Sequence, residues 1–144
     1  MISCKKPKVT IGVCVKNVER TIYNTLNSIL SQDFSHNLIE IIIVDGKSID
    51  ETLKIIKRIL KRCDIKSRIF IENKGLGFAR QLVVENASGK YIVWVDGDMI
   101  IPNDFVRKQV EFMEKNPKVG IAYARHRILP TANLLSFLED LAYI

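Results

Sequence analysis

Residues 38–44 read LIEIIIV, a run of strand length that is almost wholly apolar. A strand with one wet face alternates apolar and polar residues, whereas a strand covered on both faces reads as a near-continuous apolar run, as parallel sheets do. The flanking sequence agrees with a parallel sheet. Upstream, residues 9–15 (VTIGVCV) form a first strand, and the helix after it places Val18, Ile22, Leu26, Ile29 and Leu30 on one stripe. Downstream, Ser48 followed by Glu51 reads as a capping box opening a helix that runs to about Cys63. Residues 68–71 (RIFI) predict a third strand and residues 73–77 (NKGLG) a glycine-containing loop. The next helix continues through Ala87, where Gly89 is expected to end it in a left-handed conformation. Residues 91–95 (YIVWV) predict a fourth strand. After a turn at Pro102, Asn103 or Asp104 is expected to cap a helix carrying Val106, Val110 and Met113 inward, and residues 119–124 (VGIAYA) read as a fifth strand. Strands alternating with helices argue for βαβ units, so the expected class is α/β, a Rossmann-like, mostly parallel sheet with helices on both faces.

The chain has 144 residues, 47% of them hydrophobic, enough for one domain to bury a core without disulfides or metals. No repeat, low-complexity tract or linker divides it, and the expected organisation is a core over residues 1–130. Residues 131–144, with Leu134, Leu135, Phe137, Leu138, Leu141, Ala142 and Ile144, form an apolar helical segment interrupted by Glu139 and Asp140. That segment is expected to begin an acceptor-side region or to contact a second copy. Cys4, Cys14 and Cys63 lie far apart with no Cys-x-x-Cys pair, which argues for a reducing, cytoplasmic setting and against zinc. The first apolar run leads directly into Lys16 without a cleavage pattern, and no stretch approaches the roughly 20 apolar residues of a spanning helix.

A net charge of +6 suits an anionic partner. Much of the excess sits at Lys54, Lys57, Arg58, Lys61 and Arg62, on one side of a helix that leaves Leu53, Ile56, Ile59 and Leu60 for the core. The ordinary reading of such a stripe is a solvated face; peripheral contact with a membrane surface is the other. Aromatic residues do not interleave with the basic ones, which argues against nucleic acid.

The chemistry concentrates in Val95-Asp96-Gly97-Asp98-Met99, two carboxylates two residues apart at the carboxyl end of a buried strand. In extended backbone, positions i and i+2 project to one side, and two like charges converging there need a compensating cation. A hard divalent ion, Mg²⁺ or Mn²⁺, takes carboxylate oxygens and completes its shell with water and phosphate. Gly97 lets backbone or ligand approach closely. Other polar residues fall at strand ends too: Lys16, Asn17 and Glu19 after the first strand, Asp45 after the second, and residues 73–77 after the third. In open α/β sheets ligands gather outside those ends.

The order of these segments, a strand-Asn-x-Glu opening, then IIIVDGKSID, NKGLGFAR and ASGKYIVWVDGD, resembles family 2 glycosyltransferases with the GT-A fold over about residues 9–119. The resemblance implies a donor site for a nucleoside-diphosphate sugar, UDP- or GDP-linked. By that likeness Val15, Asn17, Glu19 and Asp45 lie near the nucleoside, Lys74, Gly75 and Arg80 beside the diphosphate or sugar, Asp96 at the ribose and metal, and Asp98 at the metal. Two departures stand out. The family's second motif usually carries two adjacent aspartates, where this chain has Asp45-Gly46, so either Asp45 or backbone groups read the base. The opening reads Cys14-Val15-Lys16-Asn17 where a Pro-x-Tyr-Asn-like segment is common.

The reaction implied is attack of an acceptor hydroxyl, on a saccharide or a lipid-phosphate, at the anomeric carbon, with the nucleoside diphosphate leaving. A general base is required, and the family places it downstream of Asp-x-Asp, in a region beyond this chain; Glu139-Asp140 reads as a solvated helix face instead. A dinucleotide-binding oxidoreductase fails because Arg80 replaces the third glycine after Gly75-x-Gly77, and the loop follows the third strand. A sugar nucleotidyltransferase would carry a glycine-rich loop after the first strand, where VTIGVCVKN has only Gly12. A non-catalytic nucleotide-sugar-binding or partner-binding module is the alternative from another class.

Overall fold

Four apolar runs of the sequence become strands, and the stretches of helical period between them become helices. In the computed structural model, which describes residues 6–124, the order is β1 (Val9–Val15), α1 (Ile22–Leu30), a short 3₁₀ turn (His36–Leu38), β2 (Ile39–Asp45), α2 (Thr52–Leu60), β3 (Lys66–Ile71), α3 (Leu76–Asn86), β4 (Tyr91–Trp94) and α4 (Phe105–Lys115). The chain divides after Phe112 into two compact units, the first of which holds the whole sheet. In the second unit the Val119 amide donates to the Asn116 carbonyl in a turn.

The sheet is parallel throughout, in the order β3-β2-β1-β4. β1 and β2 pair from Val9 opposite Ile39 to Val15 opposite Asp45. Both central strands are buried almost end to end, which is why residues 38–44 contain so few polar positions. Alternate residues serve opposite faces. Val9, Ile11, Val13, Ile39, Ile41 and Ile43 pack with Ile22, Leu26 and Ile29 of α1, Ile56 of α2, and Val106 and Val110 of α4. Ile42 and Val44 face the other way, onto Ala79 and Val83 of α3. The helices thus cover both faces, as expected. The strand order reverses direction between β1 and β4, and ligands of doubly wound sheets collect outside the carboxyl ends at such a switch point.

Several local expectations are corrected. Residues 119–124 are not a strand: among the described residues no strand pairs with them, and Ile121 and Tyr123 are 90% and 82% exposed. Ser48 does not cap α2, whose N-cap position is Glu51 with no side-chain cap bond; the serine is drawn to Asp45 instead. The helix also ends earlier than expected, at Leu60. Gly89 does not adopt a left-handed φ. It is required by space, since a Cβ there would lie 2.5 Å from the Thr10 amide nitrogen. At the start of α4, Asp104 pairs with Lys108 at 2.6 Å, and the Val106 amide is capped from a distance by Gln32 Oε1 at 2.9 Å. The apolar segment 131–144, with Glu139 and Asp140, and Cys4 lie outside the described residues.

A buried charge in the middle of the sheet escaped the sequence reading. Glu40 interrupts the apolar β2 and is 1% exposed. Its Oε1 accepts from Thr10 Oγ1 at 2.7 Å and the Ser88 amide at 2.5 Å, and its Oε2 from Ser88 Oγ at 3.0 Å and Arg68 at 3.3 Å. Burial by itself would raise this carboxyl; the hydrogen bonds from Thr10 and Ser88, with the Arg68 charge, outweigh it and hold the group below the usual glutamate range. Glu40 therefore fixes the loop that returns α3 to β4.

Candidate functional site

β4 stops at Trp94, and the two aspartates follow in a turn rather than in extended backbone, with the Met99 amide donating to the Asp96 carbonyl at 3.1 Å. The expected same-side projection from a strand is therefore replaced by turn geometry. Nor is β4 a buried strand: it forms one side of the four-stranded sheet, and Trp94 is 39% exposed. The turn is held from within. Gly97 is buried, and its carbonyl accepts the hydroxyls of Thr21 at 2.8 Å and Thr25 at 3.0 Å, both reaching from the start of α1. A Cβ on Gly97 would stand 2.7 Å from Val15 Cγ1, so the glycine admits the tip of β1 rather than a ligand. Asp96 and Asp98 on either side of it remain exposed.

Arg80, in the second turn of α3, brings a cation to this corner. Its guanidinium lies 4.0 Å from Asp96 Oδ1 and 5.8 Å from the centre of the Trp94 ring. Cys14 at the end of β1 shares the neighbourhood. Burial pushes its thiol up to about 11; Arg80 pulls it down, while the carboxylates of Asp96 and Glu72 push it further up. The thiol is therefore protonated and a poor nucleophile at neutral pH.

The first two strand ends are laced together. Asp45, 1% exposed, accepts the Ser48 amide at 2.9 Å and the Ser48 hydroxyl at 2.5 Å. Ser48 Oγ in turn accepts the Asn17 amide at 2.9 Å, and Asn17 Oδ1 accepts the Ile49 amide at 2.9 Å. Asn17 adopts a left-handed φ of 52°, a conformation that asparagine tolerates. Glu19 accepts the Glu51 amide at 2.9 Å, and its own amide donates to Asp50. Asn17 and Glu19 thus use side-chain oxygens to fasten the β1–α1 loop to the β2–α2 loop. Val15 contributes its carbonyl to the Gly46 amide at 2.8 Å. Lys16 is exposed beside them.

At the third strand end Glu72 is buried, and its Oε2 accepts the amides of Lys74 and Gly75 as they lead into α3. In a dinucleotide fold the corresponding amides face a pyrophosphate. Here an internal carboxylate takes them, a physical reason to set that reading aside. Gly75 has a φ of 101° and open space around it, so backbone conformation dictates the glycine. Lys74 extends its ammonium over Phe78 at 4.4 Å. Sequence reasoning missed Thr21, Thr25, Glu72 and Trp94 and misread Ser48. The two threonines, one helical turn apart on the stripe of α1, were the readable signal.

The donor set suits a hard divalent ion. Asp96 and Asp98 offer only oxygen, and Arg80 already places a positive charge against Asp96. Among the described residues no group of three histidine, cysteine or acidic side chains gathers for a metal. Two carboxylates would leave room for oxygen from phosphate or water on such an ion.

The family model described as Glycosyl transferase family 2 matches residues 10–137. The chain is 31% identical over 127 residues to a poly-beta-1,6-N-acetyl-D-glucosamine synthase of Staphylococcus epidermidis, covering 88% of this chain and 30% of the relative. It is 37% identical over 124 residues to the UDP-Glc:alpha-D-GlcNAc-diphosphoundecaprenol beta-1,3-glucosyltransferase WfaP of Escherichia coli, covering 83% of this chain and 46% of the relative. The chain thus spans less than half the length of these relatives. Among solved structures, a mannosyltransferase from Pyrobaculum calidifontis in complex with GDP-Man and Mn²⁺ superposes with a TM-score of 0.77 at 25% identity, over 85% of this chain and 37% of that one. S. aureus TarS in complex with UDP-GlcNAc gives 0.68 at 24% identity, over 86% of this chain and 38% of that one, a likeness of fold. The sheet and its helices have the GT-A architecture of these structures, and the chain belongs to glycosyl transferase family 2.

Proposed function

We propose that this chain captures a nucleoside-diphosphate sugar through a divalent ion, Mg²⁺ or Mn²⁺, as the donor side of a glycosyltransferase that passes the sugar to an acceptor hydroxyl. The observation that carries the reading is the turn at residues 96–99, pinned through Gly97 to α1 so that Asp96 and Asp98 stand at the switch point between β1 and β4 with Arg80 beside them. Asp98 and Asp96 would hold the ion, and Asp96 would also meet the ribose. The ion's contribution, when bound, is to neutralise charge developing on the departing diphosphate. Arg80 and Lys74 add fixed positive charge on the same side. Asp45, buried against Ser48, would set the shape of the base pocket from behind and leave the base to backbone groups, with Val15, Asn17, Glu19 and Gly75 shaping the nucleoside and diphosphate walls.

Two of the similar proteins frame the donor class: one structure holds GDP-Man with Mn²⁺ and another UDP-GlcNAc. The acceptor hydroxyl belongs to a saccharide or a lipid-linked phosphate; WfaP, by its name, acts on a diphosphoundecaprenol-linked sugar. No helix among the described residues is long and apolar enough to cross a membrane. Contact with a lipid-linked acceptor at the cytoplasmic membrane face is part of the same proposal. Calorimetric titration of the chain with UDP and with GDP, each with and without Mn²⁺, tests the reading. Binding that requires Mn²⁺ and favours one base supports it, and binding indifferent to Mn²⁺ contradicts it. A donor-hydrolysis assay run alongside separates transfer from capture alone.

A further inference from the structure

Arg80 and Asp96 are natural partners in the free chain, yet the proposed function asks Asp96 to meet a metal and Arg80 to meet phosphate. We infer that Arg80 is a stand-in cation: a divalent ion displaces it from Asp96, and the freed guanidinium then binds the donor's diphosphate, so metal and nucleotide reinforce each other. The inference rests on the donor-site reading above and adds to it an exchange between partners that this chain provides.

Four observations carry it. First, the pair is close enough to attract and loose enough to break: the atoms are 4.0 Å apart, with side chains 51% and 61% exposed. An exposed pair of this kind is worth a factor of roughly 1.5 to 5 in an equilibrium. Second, the guanidinium and a divalent ion are both cations, so they repel each other at one carboxylate. Third, the acidic turn stays put when its partner changes, because Thr21 and Thr25 hold the Gly97 carbonyl. Fourth, Arg80 has somewhere to remain. Its guanidinium lies over the Trp94 ring, and that ring is packed so closely on Gly12 that a Cβ there would come within 2.8 Å of it. Released from Asp96, the guanidinium keeps an aromatic platform at the mouth of the site and presents its donors to an incoming anion. Without nucleotide the displaced charge has no partner; with it the displacement is compensated. Linkage makes the effect reciprocal.

The test uses Mg²⁺, UDP and GDP on the 144-residue chain and on Arg80→Gln. Calorimetry reads Mg²⁺ affinity alone and with each nucleotide. The native chain should bind Mg²⁺ at least tenfold more tightly when its preferred nucleotide is present. Arg80→Gln should bind Mg²⁺ alone about two- to fivefold more tightly than the native chain and show a coupling smaller by at least that factor. On the native chain, the Arg80 Nε–H resonance should shift on addition of Mg²⁺ alone and shift again with nucleotide. If metal and nucleotide bind but the coupling is unchanged in Arg80→Gln, or the resonance ignores Mg²⁺, the exchange is overturned while the donor site stands. If the native chain binds no Mg²⁺ even with nucleotide, both fall.

Discussion

Thr25 donates its hydroxyl to the carbonyl of Gly97 at 3.0 Å, joining α1 to an acidic turn 72 residues further along the chain. With the Thr21 hydroxyl on the same oxygen, it sets where Asp96 and Asp98 stand without touching either. Thr25→Val keeps the shape and removes the donor, which should cost about 1 kcal/mol in urea unfolding. It should also weaken Mn²⁺-dependent nucleotide binding several-fold. A variant with native affinity would show that the turn holds its place without this bond.

Gly97→Ala should be worse. Its added Cβ meets Val15 and Val18, at 2.7 and 3.1 Å, and overpacking of that kind costs roughly 1–3 kcal/mol. Because the clash pushes the turn away from β1, nucleotide binding should fall further than stability alone explains. Urea unfolding and calorimetry on one preparation separate the two effects.

Glu40 supplies a pH signature. Its folded carboxyl lies below the ordinary value, so its contribution is complete above the unfolded pKa, near roughly 4.3, and is lost as pH falls through the folded value. Glu40→Gln should be about 1–3 kcal/mol less stable at pH 7, and the gap should narrow on acidification below about pH 4.3. A gap constant down to pH 3 would contradict the network.

Cys14 should resist alkylation. With its thiol pushed up to about 11, iodoacetamide labelling at pH 8 should be slow and should climb with pH toward that value, as read by peptide mass spectrometry. Metal and nucleotide, which would cover this corner, should slow it further. Rapid labelling at pH 7 would place the thiol in open water.

The framework was legible because β-branched apolar runs have little choice of structure. β1 begins and ends where the residues imply, and β2 is displaced by one position. The site was legible as a set of strand ends but not as a set of bonds. Ser48 looked like a cap because its spacing to Glu51 is local, whereas its partners, Asn17 and Asp45, are chosen by the pairing of β1 with β2. Asp96 and Asp98 were found from charge and spacing. The turn that carries them depends on threonines contributed by α1, and no reading of residues 95–99 alone supplies those. Residues 119–124 show the reverse failure, an apolar run without a pairing strand among the described residues.

The most direct measurement is crystallographic: crystals soaked with Mn²⁺ and UDP or GDP, with data collected to locate manganese by its anomalous signal. The expected result is a manganese peak against Asp98 and Asp96 with the nucleotide's diphosphate at the same corner, and the Arg80 guanidinium on phosphate rather than on Asp96. Nucleotide bound elsewhere, or a corner without manganese and with Asp98 turned into solvent, would contradict it.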